Sequence, residues 1–392
     1  MTNGMPELRK ISSWRDDPLS LTIELTTSID IEKEFWLLLN HISEVKPAAY
    51  ELFARFSIAE ELFENTFHRL RAFIRQANNY WEVATKTNFR SSSLLYYYAF
   101  LNLVKTFILL KQPNLQDKVS HGIYYGKDQF QNDLIDKCIG VNYGNDQIFY
   151  LFYKEIFQIE LPKQFKVIEL FSYNVEISYQ YLQCNFGNIN TFPVIHRFSF
   201  DKSQKKAWSV LAIPSYVSKP ILDSNFIKFD EYFEFVPTPA PADLTFRDIF
   251  QFSKTEWAGL DFYQFKESKV VALDSYHSDT AIKYGVVSCL NILKEVFASS
   301  LEPNYLPDNN SFYVTIPLTI NDQKFPLHED MAIYLGMFFM SELVRYQPWY
   351  LDKVLEDKES WLFRSFVESC PLKFLRMITS RIKNETVVMK WI

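Results

Sequence analysis

The stretch Arg71–Gly122 reads RAFIRQANNYWEVATKTNFRSSSLLYYYAFLNLVKTFILLKQPNLQDKVSHG, and its reading decides the fold. Apolar residues recur at three- and four-residue spacing from Phe56 to Thr87, with no Gly or Pro to interrupt them, which is the pattern of an amphipathic helix. Ser91–Ser93 supply N-cap candidates for a further helix that runs to about Lys111, where Pro113 closes it. The short connection around Lys86–Arg90 makes the two helices antiparallel neighbours. Asn102 and Lys105 interrupt the most apolar run of the chain, Leu94–Leu110. A buried Lys or Asn without partners is costly, so something specific has to meet this face.

Tyr98, Asn102 and Lys105 fall at i, i+4 and i+7 and share one helical face. Arg71, Arg75, Asn78 and Glu82 fall at i, i+4, i+7 and i+11 and share another. If the stripes meet, Glu82 or Asn78 faces Lys105. One reading is an internal network of hydrogen bonds and ion pairs that fixes helix register. The other is a polar pocket for an anion or an RNA phosphate, with His121 nearby. A His before a Gly can act as a general base or phosphate donor, or can simply satisfy a backbone carbonyl. The candidate binding residues are Arg71, Arg75, Asn78, Tyr98, Asn102, Lys105, His121 and Arg345. No catalytic residue is singled out, and His121 and Lys105 are the candidates. Arg345 closes the apolar helix MAIYLGMFFMSELV, where its charge complements the helix dipole.

Outward from this stretch, Ile31–Ser43 also reads as helix, and further helices are expected at Asp128–Ile139, Asp146–Phe157 and Gln164–Leu182. Near Gly187 the pattern changes. TFPVIHRFSF, KAWSVLAI, SNFIKFDEYFEFVP, FKESKVVAL and SFYVTIPLTI alternate apolar and polar residues, as strands do, and PTPAPAD (237–243) is a loop. Lys283–Ser299 returns to helix. From His328 to Asn384 the period is helical again, with Pro348 and Pro371 where helices start or break. The fold class expected is α+β, mainly α: an N-terminal helical domain (1–186), a β-rich middle (187–325) and a C-terminal helical segment (326–392) packed against the N-terminal domain. No repeat of 20–50 residues is visible.

The 392 residues are 48% hydrophobic, enough for a sizeable core, and 17% aromatic. The net charge of −6 gives no global pull toward nucleic acid or anionic membrane. Its distribution is uneven: between Asn65 and Lys127 nine Lys/Arg face only Glu82 and Asp117, about +7, which leaves about −13 to the rest. Such a segment is a candidate basic surface. The four cysteines are far apart and read as small buried hydrophobes. No secretory signal opens the chain, and Leu94–Leu110 is too short and too polar to span a bilayer. A soluble, cytoplasmic protein with no membrane contact is expected.

No cofactor or metal is expected either. Only nine glycines are present, G-x-G-x-x-G, G-x-x-x-x-G-K-[ST] and G-x-S-x-G are absent, and the six His are never paired at ligand spacing. One short nuclease-like string, Asp261 with Glu267-x-Lys269, could hold a metal beside a phosphate, although alternating charges on a strand usually face solvent.

Three motifs carry a resemblance. They are Arg75-Gln76-Ala77 with Tyr80, then Leu95-Tyr96-Tyr97 through Leu101-Asn102-Leu103 and Lys105, then His121-Gly122. A further block, Ser341 to Arg345-Tyr346 and Pro348, follows near the C-terminus. In order and spacing the chain resembles the bacterial YaaC-like proteins. The resemblance implies a bacterial protein of unassigned biochemical activity. The N-terminal helices are also similar to HEPN-type bundles, many of which are RNases in toxin and antiviral systems. HEPN nucleases carry R-x(4–6)-H on one helix, and here His121 lies 31 residues after Arg90. Fold likeness alone confers no activity.

The function expected is a non-enzymatic interaction subunit of a multi-protein system, of the antiviral-defence or stress-response kind, with a protein partner or a second copy of the chain. The alternative is an RNA-binding protein or HEPN-like ribonuclease that uses the basic segment 65–127. If the protein is an enzyme, ribonuclease is the activity to test.

Overall fold

The computed structural model describes residues 12–13, 22–26, 30–115, 119–125, 136–201, 205–215, 229–236, 259–272, 288–289, 291–293, 296, 301–305, 311–357 and 359–390. It is an α+β fold, mainly α, in two compact units. One is built on Ile23–Thr191 and Leu318–Lys390, the other on Phe192–Pro317.

The helical unit contains α1 (Ile31–Glu44), α2 (Lys46–Arg55), α3 (Phe63–Lys86), α4 (Phe89–Lys111), α5 (Ile148–Phe157), α6 (Val167–Phe171), α7 (Ser178–Gln183), α8 (Glu329–Tyr346), α9 (Pro348–Glu356) and α10 (Ser360–Lys383). At its centre α4 packs against α3, α5, α8 and α10. By length and composition α4 could cross a bilayer, but 72% of its most apolar window is buried inside the fold. Its ring faces are spent on neighbouring helices: Phe100 stacks on Phe374 of α10 with centroids 3.9 Å apart, and Tyr97 lies 5.4 Å from Phe338 of α8. Stacked and tilted aromatic pairs of this kind add to the area they bury. On the other side Trp81 of α3 meets Trp36 of α1 at 5.7 Å and donates its indole N–H to Glu32 at 2.7 Å.

Helix α4 begins earlier than the serines suggest. Asn88 is its N-cap, accepting the Arg90 N–H at 3.0 Å, and Ser92 and Ser93 are buried inside the first turns. Asn and Ser are comparable caps, and the residue that precedes the helix wins. One other expected helix is replaced, and of a second, Asp128–Ile139, only residues 136–139 are described. Within Asp128–Ile139 the described residues include a strand, Cys138–Val141, which pairs with Ile123–Tyr125 and Gln164–Lys166 in a three-stranded antiparallel sheet. The expected helix Gln164–Leu182 is divided among that last strand, α6, a 3₁₀ turn at Val175–Ile177 and α7. Pro371 does not break α10 but sits buried in its interior, held by packing rather than by the hydrogen bond it lacks.

Helix α8 is apolar almost all round, and every residue from Met331 to Met340 is buried. At Gly336 the Phe366 ring of α10 packs closely, since an added Cβ would lie 2.7 Å from it. Two carboxylates head this helix, and both are fully buried. Glu329 accepts the Val175 N–H at 2.8 Å and lies 3.3 Å from the Lys373 ammonium, which also meets Glu176 at 3.1 Å. Asp330 is gripped by Arg381, whose second nitrogen donates to His328 Nδ1 at 2.8 Å. Both carboxylates lie in the first turn, where the helix dipole favours negative charge.

In the β unit a sheet runs β7 (Leu301–Tyr305), β8 (Ser311–Thr315), β2 (Thr191–Asp201), β3 (Lys206–Pro214), β5 (Leu260–Phe265) and β4 (Phe233–Val236). Short strands β1 (Ser12–Ser13) and β6 (Val271–Ala272) pair with β2 and β3. Leu211 of β3 pairs with His196 on one side and Tyr263 on the other, both antiparallel. Residues 207–213 of β3 are buried continuously, as a central strand covered on both faces requires. SFYVTIPLTI divides between β8 and a separate hairpin strand, Leu318–Ile320, in the helical unit. The loop 237–243 and most of Lys283–Ser299 lie outside the described residues.

Removing one member of a buried ion pair leaves the other charged and unpaired in a low dielectric. Lys373→Met is therefore expected to destabilise the helical unit by about 3–5 kcal/mol, read as a lower urea midpoint. The double variant Lys373→Met/Glu329→Gln should recover part of that loss, because Gln keeps an acceptor for Val175 and buries no charge.

Candidate functional site

The polar residues of α3 and α4 do not meet as a shared stripe. Arg75 donates twice to Glu44 at the end of α1 (2.7 and 2.8 Å), and Arg71 adds a third bond at 2.8 Å. These hydrogen bonds, Arg75's first, hold the Glu44 carboxyl below the usual carboxylate range. Asn78 bonds Glu82 within α3, at 3.1 Å. Asn102 bonds within its own helix: its side-chain amide N–H donates to the Tyr98 backbone carbonyl at 2.8 Å, and its backbone carbonyl accepts the Thr106 hydroxyl. Tyr98 stacks on Tyr80 of α3 with centroids 5.3 Å apart. The antiparallel α3–α4 contact is thus made of rings, and the polar groups turn away from it.

Lys105 is the exception. It is half-buried, its ammonium lies 5.8 Å from the centre of the Phe73 ring, and it forms no ion pair among the described residues. Burial lowers its affinity for a proton.

His121 lies within electrostatic reach of Arg345 and of Lys105. The His121–Gly122 turn is built into the start of α5: the Ser120 and His121 carbonyls accept the Ile148 and Phe149 N–H groups at 2.9 and 3.2 Å. Gly122 has φ +80°, a conformation that favours glycine, and a Cβ there would crowd Gln147 at 3.1 Å. The His121 ring lies 5.7 Å from Phe338, the same residue that touches Tyr97. Its Nδ1 accepts the Ile123 N–H at 3.3 Å, which leaves Nε2 as the donor of the neutral ring. Burial of its inner face, then Arg345, then Lys105 lower the pKa of His121. Arg345 bonds Glu342 through Nη2, while its buried Nε has no acceptor. Burial raises the Glu342 carboxyl against the pull of Arg345. Tyr97 and Tyr334 face one another, and burial is the main cause that drives the Tyr97 hydroxyl far above its ordinary pKa.

Of the eight sequence-derived candidates, Lys105 and Arg345 both act on the His121 imidazole through their charge, while no hydrogen bond among the described residues joins the three. Tyr98 and Asn102 lie along the same helix, and Arg71, Arg75 and Asn78 belong to surface pairs elsewhere. Glu342 was not anticipated. Its signal is its place one turn before Arg345, the i, i+3 spacing of an ion pair. His328, Glu329 and Asp330 were also missed, although three polar residues in a row ahead of an all-apolar helix mark them in the sequence. The nuclease-like string does not assemble. Asp261 accepts from Ser215 at 2.9 Å, Glu267 pairs with Lys206 at 2.5 Å and Lys269 lies over the Tyr232 ring. Among the described residues no cluster of His, Cys, Asp and Glu could hold a metal ion.

The element order and packing define a mainly helical α+β protein. The family of YaaC-like proteins matches residues 50–382, most of the chain, and the chain belongs to that family. No curated protein and no solved structure matches it.

Because the folded protein holds His121 below its unfolded-state pKa of about 6.5, protonation favours the unfolded chain. His121 therefore makes stability fall as pH drops through and below that value. An NMR titration of the imidazole should give a midpoint below about 6.5. In Arg345→Gln the midpoint should move up, since one repelling charge is gone; an unchanged midpoint would place Arg345 out of reach of the ring.

Proposed function

We propose that this YaaC-like protein is a non-enzymatic interaction subunit, one that works by holding a protein partner in a larger bacterial system of the defence or stress-response kind. The observation that carries this reading is the exposure of large aromatic side chains on the C-terminal helices. Trp349 and Tyr346, at the α8–α9 turn, are 67% and 56% exposed, and Trp361, which opens α10, is 50% exposed. Trp361 meets Tyr179 of α7 edge to face at 5.6 Å, and Tyr179 is itself 60% exposed. Exposed Trp and Tyr are costly in a free surface and are the residues that dominate protein interfaces.

The alternative, RNA binding or cleavage through 65–127, has less charge to work with than the sequence count implies. Arg71 and Arg75 already face Glu44, and Arg90 faces Asp352. Lys105 is the observation in its favour.

The tagged chain, purified from its native host under mild conditions, is expected to run above monomer mass, as a stoichiometric complex or as an oligomer. Trp349→Ala with Trp361→Ala should return it to monomer while leaving its melting temperature within a few degrees. A monomeric wild-type chain without a stoichiometric partner would refute the interaction reading. Steeply salt-dependent binding to RNA that is lost in Lys105→Met would favour the alternative.

A further inference from the structure

One face of α10 is turned to solvent along the first half of the helix. Trp361, Arg364, Ser365, Glu368 and Leu372 follow one another at three- and four-residue spacing, so they share that face. All but the half-buried Ser365 are exposed. Leu372 follows Trp361 by 11 residues, about 16 Å along the axis. Helix α7 widens the Trp361 end: Tyr179 meets that ring edge to face at 5.6 Å, and Gln180 donates to the Ser365 hydroxyl at 3.2 Å.

This face is complementary to itself. An apolar side chain stands at each end, and opposite charges stand between them. Turn a second copy by half a rotation about an axis through the middle of the stretch, and the two α10 helices run antiparallel. Trp361 then falls against Leu372 of the second copy, and Arg364 falls within one residue's rise, about 1.5 Å, of Glu368 of the second copy. Both contacts recur on the other side of the axis, as an isologous interface requires. Ser365, near the axis, is small enough to let the helices approach.

Within one chain Arg364 bonds Glu368 at 3.0 Å and lies over the Phe89 ring. An exposed pair of this kind adds little to a single helix, whereas the same charges across an interface set its register and exclude wrong partners. A partner of one sign fits less well: a nucleic acid or an acidic peptide would meet Glu368, and a basic peptide would meet Arg364. A second copy brings the opposite charge to each.

We propose that this face of α10 binds a second copy of the chain in a two-fold, antiparallel pairing. The pairing rests on the interaction reading above and names one occupant for it.

Sedimentation equilibrium of the full chain, purified alone, is expected to show a dimer at tens of micromolar. Arg364→Glu and Glu368→Arg should each run as monomers, because each sets like charges face to face, and both should keep the wild-type melting temperature within a few degrees. Mixed in equal amounts, the two variants should dimerise again, since one face is then acidic and the other basic. No effect confined to a single chain produces that rescue. Leu372→Asp, which leaves both charges in place, should also give a monomer. The proposal is overturned if the pure wild-type chain is monomeric at that concentration, if the charge variants dimerise as it does, or if mixing them restores nothing. A chain that is monomeric when pure but leaves its native host in a stoichiometric complex overturns this pairing alone. One that is monomeric in both preparations overturns the interaction reading with it.

Discussion

The arrangement of the helical unit depends on two carboxylates being buried at the head of α8. The body of that helix is apolar on all sides, and apolar packing is non-directional. Met, Leu, Ile and Phe along Met331–Met340 fill space, but many rotations and shifts of such a cylinder would fill it almost as well. Glu329 and Asp330 remove that freedom. Glu329 must reach both the Val175 N–H and Lys373, while Asp330 must reach Arg381. Only one rotation and one height of α8 satisfy both, because a carboxylate left unpaired in that interior is far more expensive than a repacked methyl group. The ion pairs therefore contribute register more than net stability.

Register at one end fixes position at the other. Arg345 lies 15 residues beyond Asp330, and a helix rises about 1.5 Å per residue, so the guanidinium is delivered roughly 22 Å away from the network that sets it. Phe338 is set on the way, against Tyr97 and His121. The exposed pairs, by contrast, decide little. Arg75 with Glu44 and Arg90 with Asp352 sit in water, where such bridges contribute little to stability.

Much of this was legible in the sequence. The period of Phe56–Thr87 and of Leu94–Leu110 specifies α3 and α4, and the turn near Lys86–Arg90 makes them a hairpin, because helical periodicity is carried by neighbours three and four residues apart. The sheet formed by Ile123–Tyr125, Cys138–Val141 and Gln164–Lys166 was not legible: strands of three or four residues are too short to display an alternation. The polar residues of α3 and α4 were found but their partners were not. Asn102 turned inward to its own helix, an option open to any Asn with a carbonyl four residues behind it. Glu44, which claims Arg71 and Arg75, lies 27 and 31 residues away on another helix, and Lys373 lies 44 residues beyond Glu329. Ion pairs at such separations leave no periodic trace.

Lys105 differs from Arg71, Arg75, Asn78 and Asn102, each of which has a hydrogen-bond partner. Its stem lies along α4 and its head rests near the Phe73 ring, a contact worth something like 0.5–2 kcal/mol. That is less than desolvating an ammonium costs, and a Leu or Met at the same place would pack as well without the penalty. Asn102, about one turn before it, and Thr106, the next residue, show that this helix can satisfy a polar side chain internally. Lys105 is too long and too charged for that solution. With only the Phe73 ring set against its ammonium among the described residues, the placement of Lys105 runs against stability.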